Sequence, residues 1–266
     1  MDAKDLYAAL AVQFQPEACT EVFPVKGLQT DHCRQVERVY TATFASREVF
    51  NALKHSDARR CVLFTHHPVP QRPVDATDYP PISKEDLALM RAREISLFSY
   101  HIPLDRNGPY SPGTNLVRVL GATPRAAFYL QNGVYMGLIC DSPFRTAEEA
   151  ADTLGALLGH RTSLYPYGGS VLENGRLAVM CGGAKDATIY EFLRAQGCNA
   201  FITGVTSLRA AICPPIHKAA QRAGVSLIGG THYSTEKFAP MAMVDFFKAL
   251  RLPCEFLSET PQLDEL

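Results

Sequence analysis

The chain has 266 residues, 47% of them hydrophobic and 20% charged, with a formal net charge of −1, so it can bury a sizeable core as one large domain or two of ordinary size. That balance leaves no basic footprint for nucleic acid, and no apolar run approaches the ~18 residues of a membrane span, so neither partner is expected. The charges of Met1-Asp2-Ala3-Lys4-Asp5-Leu6 disagree with a signal peptide, and the eight cysteines lack any C-x-x-C pair, which points to reduced thiols in a cytoplasmic protein and excludes a zinc ribbon.

In chain order, Leu6, Leu10 and Phe14 fall at helical spacing over residues 5–14, and Pro16 ends that helix. A loop about Gly27-Leu28-Gln29 precedes a strand over residues 36–43, whose β-favouring side chains alternate. Ser46 stands as an N-cap, with Val49, Phe50 and Leu53 on the helix behind it. The apolar run Cys61-Val62-Leu63-Phe64 follows as a buried strand, and the order strand, helix, strand implies a βαβ unit.

That strand runs into Thr65-His66-His67-Pro68 and delivers two imidazoles to its C-terminal end, where open α/β sheets hold ligands. A lone histidine at a strand end is commonly a hydrogen-bonded structural residue, whereas two neighbours can each face an ion. Two later stretches strengthen the metal reading. Ile95-Ser96-Leu97-Phe98 ends in His101 and Asp105, and Val225-Ser226-Leu227-Ile228 ends in His232 and Glu236, both pairs spaced i, i+4. A helical turn would place His232 and Glu236 on one face. Imidazoles and carboxylates from three strand ends can converge on one crevice, and such mixed donors suit zinc, iron or manganese.

The remaining segments read as scaffold. Five prolines between residues 68 and 81 mark a surface loop beside the proposed site, and Ser83 with Asp86 opens a helix whose Leu87, Ala88 and Met90 face inward. A punctuated loop over residues 106–113 leads to a short helix over 114–120. Asn132-Gly133 then makes a type I′ hairpin turn, and Thr146 caps a helix ending at Gly159. The strand Leu177-Ala178-Val179-Met180-Cys181 reaches Gly182-Gly183 before a helix over 186–196; such a junction can bind an anion, though a bare tight turn is the better reading of two glycines. Residues 199–204 repeat the order seen at 47–67, so the halves read as weak repeats, with 205–208 as a rim without ligands. Helices follow at 216–223 and 241–250, the second with Pro240 in its first turn and Val244, Phe247 and Leu250 inward, and the acidic tail 258–266 is expected to fray.

Taken together, Thr65-His66-His67-Pro68, His101-Ile102-Pro103-Leu104-Asp105, Thr203-Gly204 and Gly230-Thr231-His232-Tyr233-Ser234-Thr235-Glu236 resemble the Nif-three-like dinuclear-metal proteins, known also as GTP cyclohydrolase I type 2 homologues. The resemblance spans most of the chain, from about Gly27-Leu28 to the terminal helix. It implies two similar Nif-three-like α/β domains with mixed sheets flanked by helices, residues 1–124 and 125–266, the terminal segment packing back on the first. It also implies a metal site in the cleft between them and a homohexamer. Ligation of two divalent ions is carried onto His66, His67, His101, Asp105, His232 and Glu236, with Asp105 and Glu236 bridging. Ile102-Pro103 replaces a Thr-Asn common in the family, and residues 205–208 lack its polar, His-rich character. Ligation survives both departures, whereas the substrate-facing wall would change.

The function implied is a metal-dependent hydrolase acting on a nucleotide-like or phosphorylated small molecule. Two ions about 3.5–4 Å apart would hold a hydroxide for attack, with His101 as the candidate for catalytic proton transfer in cyclohydrolase-type chemistry. The competing expectation is a non-enzymatic metal or metallocofactor chaperone, or a regulatory binding protein.

Overall fold

The apolar runs become the cores of two separate sheets in the computed structural model, which describes residues 1–22, 26–69 and 82–266. Its helices are α1 (Ala3–Phe14), α2 (Arg47–His55), α3 (Lys84–Ala92), α4 (Ile102–Asp105), α5 (Pro112–Val119), α6 (Ala147–Leu158), α7 (Ile189–Ala195), α8 (Cys213–Ala223), α9 (His232–Glu236) and α10 (Phe238–Ala249). Its strands are β1 (Gly27–Thr30), β2 (Arg38–Ala42), β3 (Cys61–Thr65), β4 (Ile95–Ser99), β5 (Thr123–Gln131), β6 (Val134–Asp141), β7 (Ser163–Tyr165), β8 (Arg176–Val179), β9 (Ala200–Thr203), β10 (Ser226–Gly229) and β11 (Cys254–Phe256). Among the described residues no helix is long and apolar enough to cross a membrane.

One compact unit comprises Met1–Arg106, Asn132–Val134 and Ala239–Glu259. Its sheet has the order β1-β4-β3-β2-β11, with β11, β2, β3 and β4 mutually parallel and β1 antiparallel at the edge. The expected βαβ unit is therefore present as β2-α2-β3, and β3-α3-β4 repeats it. Every residue of β3 and β4 is buried, and full burial of a residue such as Leu63 or Phe64 contributes roughly 1.5–3 kcal/mol. The alternation expected over 36–43 does not produce a half-exposed strand: Val39, Tyr40, Thr41 and Ala42 are all buried, because a parallel strand with neighbours on both sides is covered on both faces. Ser46 caps α2 through its Oγ, which accepts from Val49 N at 3.3 Å, and Val49, Phe50 and Leu53 are buried as expected.

The other unit comprises Asn107–Gln131, Tyr135–Phe238 and Thr260–Leu266. Its sheet has the order β5-β6-β8-β9-β10-β7, with β8, β9 and β10 parallel and with β6 and β7 running antiparallel to their neighbours β8 and β10. Asn132 and Gly133 have φ of +53° and +86°, the backbone a type I′ turn between β5 and β6 requires. The break between units falls at Arg106/Asn107 rather than at the expected 124/125. Asn107 belongs to the second sheet, its N donating to Tyr135 O at 3.1 Å and its Nδ2 to Gly137 O at 3.0 Å. Residues 239–259 belong to the first unit, and β11 pairs with β2.

Several local expectations change. Helix α7 begins at Ile189, because Asp186 Oδ1 accepts from Thr188 N at 2.8 Å in a turn that precedes it. Helix α8 begins earlier than read, at Cys213, with prolines in its first turn. In α3 only Met90 of the expected inward residues is buried, Leu87 and Ala88 being exposed. Along α10 the buried stripe is Met243, Phe246 and Phe247, while Val244 and Leu250 are half-buried. The loop expected between residues 68 and 81 lies, from residue 70 onward, outside the described residues.

The tail does not fray. Glu259 is 9% exposed and accepts from Phe44 N at 3.2 and 3.3 Å, and burial pushes its carboxyl up to about 8, against the opposing hydrogen bonds of Ser46 and Phe44. Further on, the Glu265 carbonyl accepts from both Thr206 N and Ser207 N at 2.8 Å. Residues 205–207, read from sequence as a rim without ligands, are buried and form a seat for the tail.

Candidate metal centre

In the first unit β3 and β4 pair in perfect step, Thr65 opposite Ser99, so the residues that follow each strand leave the sheet at one level. The backbone of His66 and His67 continues the ladder, their N–H groups donating to Ala42 O and Thr43 O at 3.1 and 2.9 Å. Thr65 Oγ1 donates to His67 O at 2.8 Å, and Ser99 Oγ donates to His66 O at 3.0 Å. Both imidazoles are thereby fixed in the interior, 0% and 2% exposed, and the Phe44 ring stacks on His67 with centroids 4.5 Å apart and planes at 11°.

After β4 the chain turns at His101 into the single turn of α4, which carries Asp105 four residues later. The expected first-half residues are brought together. His66, His67 and His101 each offer a ring nitrogen within 4.8 Å of the others. Asp105 stands between two of them, Oδ1 lying 3.3 Å from His66 Nε2 and Oδ2 3.6 Å from His101 Nε2. The Tyr100 carbonyl lies 3.3 Å from His66 Nδ1; a carbonyl only accepts, so Nδ1 donates to it, and Nε2 is the nitrogen turned to Asp105.

Glu21 was not visible as a site residue in the sequence. Its Oε1 lies 3.0 Å from His101 Nδ1 and its Oε2 accepts from Ile102 N at 3.1 Å. Burial works to raise the Glu21 carboxyl, but the hydrogen bond and charge of His101, with the N–H groups of Val22 and Ile102, outweigh it and hold the carboxyl below its ordinary value.

In the second unit β8, β9 and β10 are likewise in step, Val179 opposite Ile202 and Ile202 opposite Ile228. After β10, Thr231 takes φ +66° and ψ 153° and opens the five-residue helix α9, its Oγ1 accepting from Ser234 N at 3.2 Å. This turn sets His232 Nε2 3.1 Å from Glu236 Oε2, as the i, i+4 spacing required. The Glu265 carboxylate accepts from His232 N at 2.6 Å; burial raises that carboxyl more than this hydrogen bond and the His232 charge lower it.

The Gly182-Gly183 turn acquires a role that neither an anion site nor a bare turn describes. Gly182 has φ +71°, and a Cβ there would strike Glu236 Oε1 and lie 3.2 Å from His232 Nε2. Its N–H donates to Thr235 Oγ1 at 3.1 Å, and its carbonyl accepts from Gly204 N at 2.9 Å. The Thr203-Gly204 pair is thus a spacer: a Cβ on Gly204 would crowd Gly182 O, Thr231 O and Thr235 Oγ1.

The donor chemistry fits a divalent cation: buried and half-buried imidazoles and carboxylates, with partners fixing the other face of His66 and His101. A protein-family description, Duf34/NIF3 (NGG1p interacting factor 3), matches residues 1–261. The chain belongs to the Duf34/NIF3 family. Relatives include the GTP cyclohydrolase 1 type 2 homolog of Archaeoglobus fulgidus, 27% identical over 223 residues and 82% of each chain. That of Pseudomonas aeruginosa is 26% identical, over 83% of this chain and 82% of its own. A protein of unknown function named ybgI has a similar solved structure, with TM-score 0.81, 21% identity and coverage of 98% of this chain and 100% of that one. A second solved structure, from Thermus thermophilus, gives 0.75, 23%, 99% and 100%. At these identities the solved structures speak to the fold alone: the mixed α/β architecture of this Duf34/NIF3 chain is that of NIF3 superfamily proteins.

Proposed function

We propose that His66, His67, His101, Asp105, His232 and Glu236 together hold two divalent metal ions, and that the protein is a metal-dependent hydrolase of a nucleotide-like or phosphorylated small molecule. The observation that carries this reading is the clustering of His66, His67 and His101, with Asp105 between His66 and His101 and with Nδ1 of those two facing acceptors that turn Nε2 toward Asp105. Kinship with GTP cyclohydrolase 1 type 2 homologues supports the substrate class.

Ions held by such ligands supply Lewis acidity and bring the pKa of water toward neutrality. The chain's own part is positional. The β3-β4 register levels the two first-half motifs, Phe44 fixes the plane of His67, and Gly182 leaves the space that Glu236 needs. His101, the most exposed of the three first-half imidazoles, turns its Nε2 toward Asp105, where it would serve as a ligand or exchange a proton with a reacting group.

The test is elemental analysis of protein purified without added metal, followed by turnover assays with GTP and a panel of phosphoesters. The expected result is bound divalent metal and a hydrolysis that disappears in His66→Ala and in Glu236→Ala. Turnover surviving both substitutions refutes the hydrolase; metal that passes freely to a chelator or an apo acceptor, with no turnover, favours the carrier reading instead.

A further inference from the structure

Glu21 sits in the loop after α1, 80 residues from His101 in sequence, and its side chain is only 6% exposed. Both carboxylate oxygens are engaged. Oε2 accepts from Ile102 N at 3.1 Å, while Oε1 faces His101 Nδ1 at 3.0 Å and also accepts from Val22 N at 2.8 Å. An ionised carboxylate can only accept, so His101 Nδ1 donates to Glu21, and Nε2 is the nitrogen left to give up its proton when a cation binds. That nitrogen is the one 3.6 Å from Asp105 Oδ2. Backbone and side chain are held together: the same carboxylate that orients the ring also grips the first N–H of the turn carrying Asp105.

We propose that Glu21 is a positioning residue of the metal centre, fixing His101 as its Nδ1–H tautomer so that Nε2 is presented to the cation. The inference rests on the metal-centre reading and adds an outer carboxylate to it. Partners of this kind orient a ligating imidazole and raise its basicity.

Glu21→Gln tests it with little change of shape. The buried Ile102 N–H still requires an acceptor, whereas the exposed Val22 N–H can turn to water, so the amide oxygen faces Ile102 and the amide NH₂ faces His101. Nδ1 must then accept, and the ring proton moves to Nε2. Two measurements read this: the ¹⁵N ring-nitrogen pattern of His101 in metal-free protein at a pH where the ring is neutral, and the affinity for Zn²⁺ in competition with a chromophoric chelator. Glu21→Gln is expected to invert the tautomer and weaken Zn²⁺ binding about 10–100-fold, while Glu21→Asp keeps the Nδ1–H tautomer and most of the affinity. Wild-type tautomer and Zn²⁺ affinity in Glu21→Gln overturn this inference alone. Failure of the wild-type chain to bind Zn²⁺ at all overturns the metal centre, and the inference with it.

Discussion

Replacing Gly182 by alanine isolates the demand that the second-half ligands place on the backbone. At φ +71° any L-residue is in the left-handed region, which costs roughly 1–2 kcal/mol. The new Cβ also meets Glu236 Oε1, so the carboxylate must leave its rotamer at a further cost of about 0.5–1.5 kcal/mol. The sum, roughly 1.5–3.5 kcal/mol, corresponds to a melting temperature lower by roughly 3–14 °C for a domain of this size. Gly183→Ala is the internal control: its Cβ would stand 3.5 Å from Ile212 Cδ1, ordinary contact, with no positive φ to sustain, so a change within about 0.5 kcal/mol is expected. Thermal unfolding of the two variants and their Zn²⁺ affinities form the assay, Gly182→Ala losing in both. Equal melting temperatures for the neighbours, or undiminished Zn²⁺ binding by Gly182→Ala, would refute the reasoning.

Two further outcomes follow from the tail. Because the folded-state carboxyl of Glu259 is raised to about 8, the native state binds the extra proton between the ordinary carboxyl range and pH 8. Its contribution to stability is therefore full at acid pH and declines as pH rises through that window, by at most about 1.4 kcal/mol per pH unit. Urea unfolding from pH 5 to 9 should show this decline in the wild type and its disappearance in Glu259→Gln. Removing residues 262–266 should speed hydrogen exchange at the Thr206, Ser207 and His232 amides, which donate to Glu265, and leave those of β3 unchanged; unaltered exchange at all three amides would contradict the docked tail.

What the sequence made legible was what short apolar strands can signal by themselves. Cys61-Val62-Leu63-Phe64 and Ile95-Ser96-Leu97-Phe98 are too apolar to be exposed on either face, and the side chains that follow them inherit a common level from the parallel register. Less legible was anything set by a distant partner. Glu21 lies in no periodic segment, and its value depends on a histidine 80 positions away. Gly182 is recognisable as a turn glycine, but the reason for its φ is a carboxylate on α9. The acidic tail reads as solvated because composition cannot show that Glu259 and Glu265 are engaged by backbone N–H groups from residues 44 and 232. The exposed Leu87 and Ala88 show the same limit in reverse: helical spacing defines a face but does not name what covers it.

The return of residues 239–259 to the first sheet also bears on how the molecule is made. β11 pairs with β2, Cys254 opposite Val39, so the first sheet can acquire that edge only after residue 254 has been synthesised. Closing a contact so distant along the chain is slow, and vectorial folding of the amino-terminal half ahead of the carboxyl-terminal half is ruled out for the finished sheet. A nascent chain stalled before residue 254 would hold His66 and His67 on a sheet that still lacks β11.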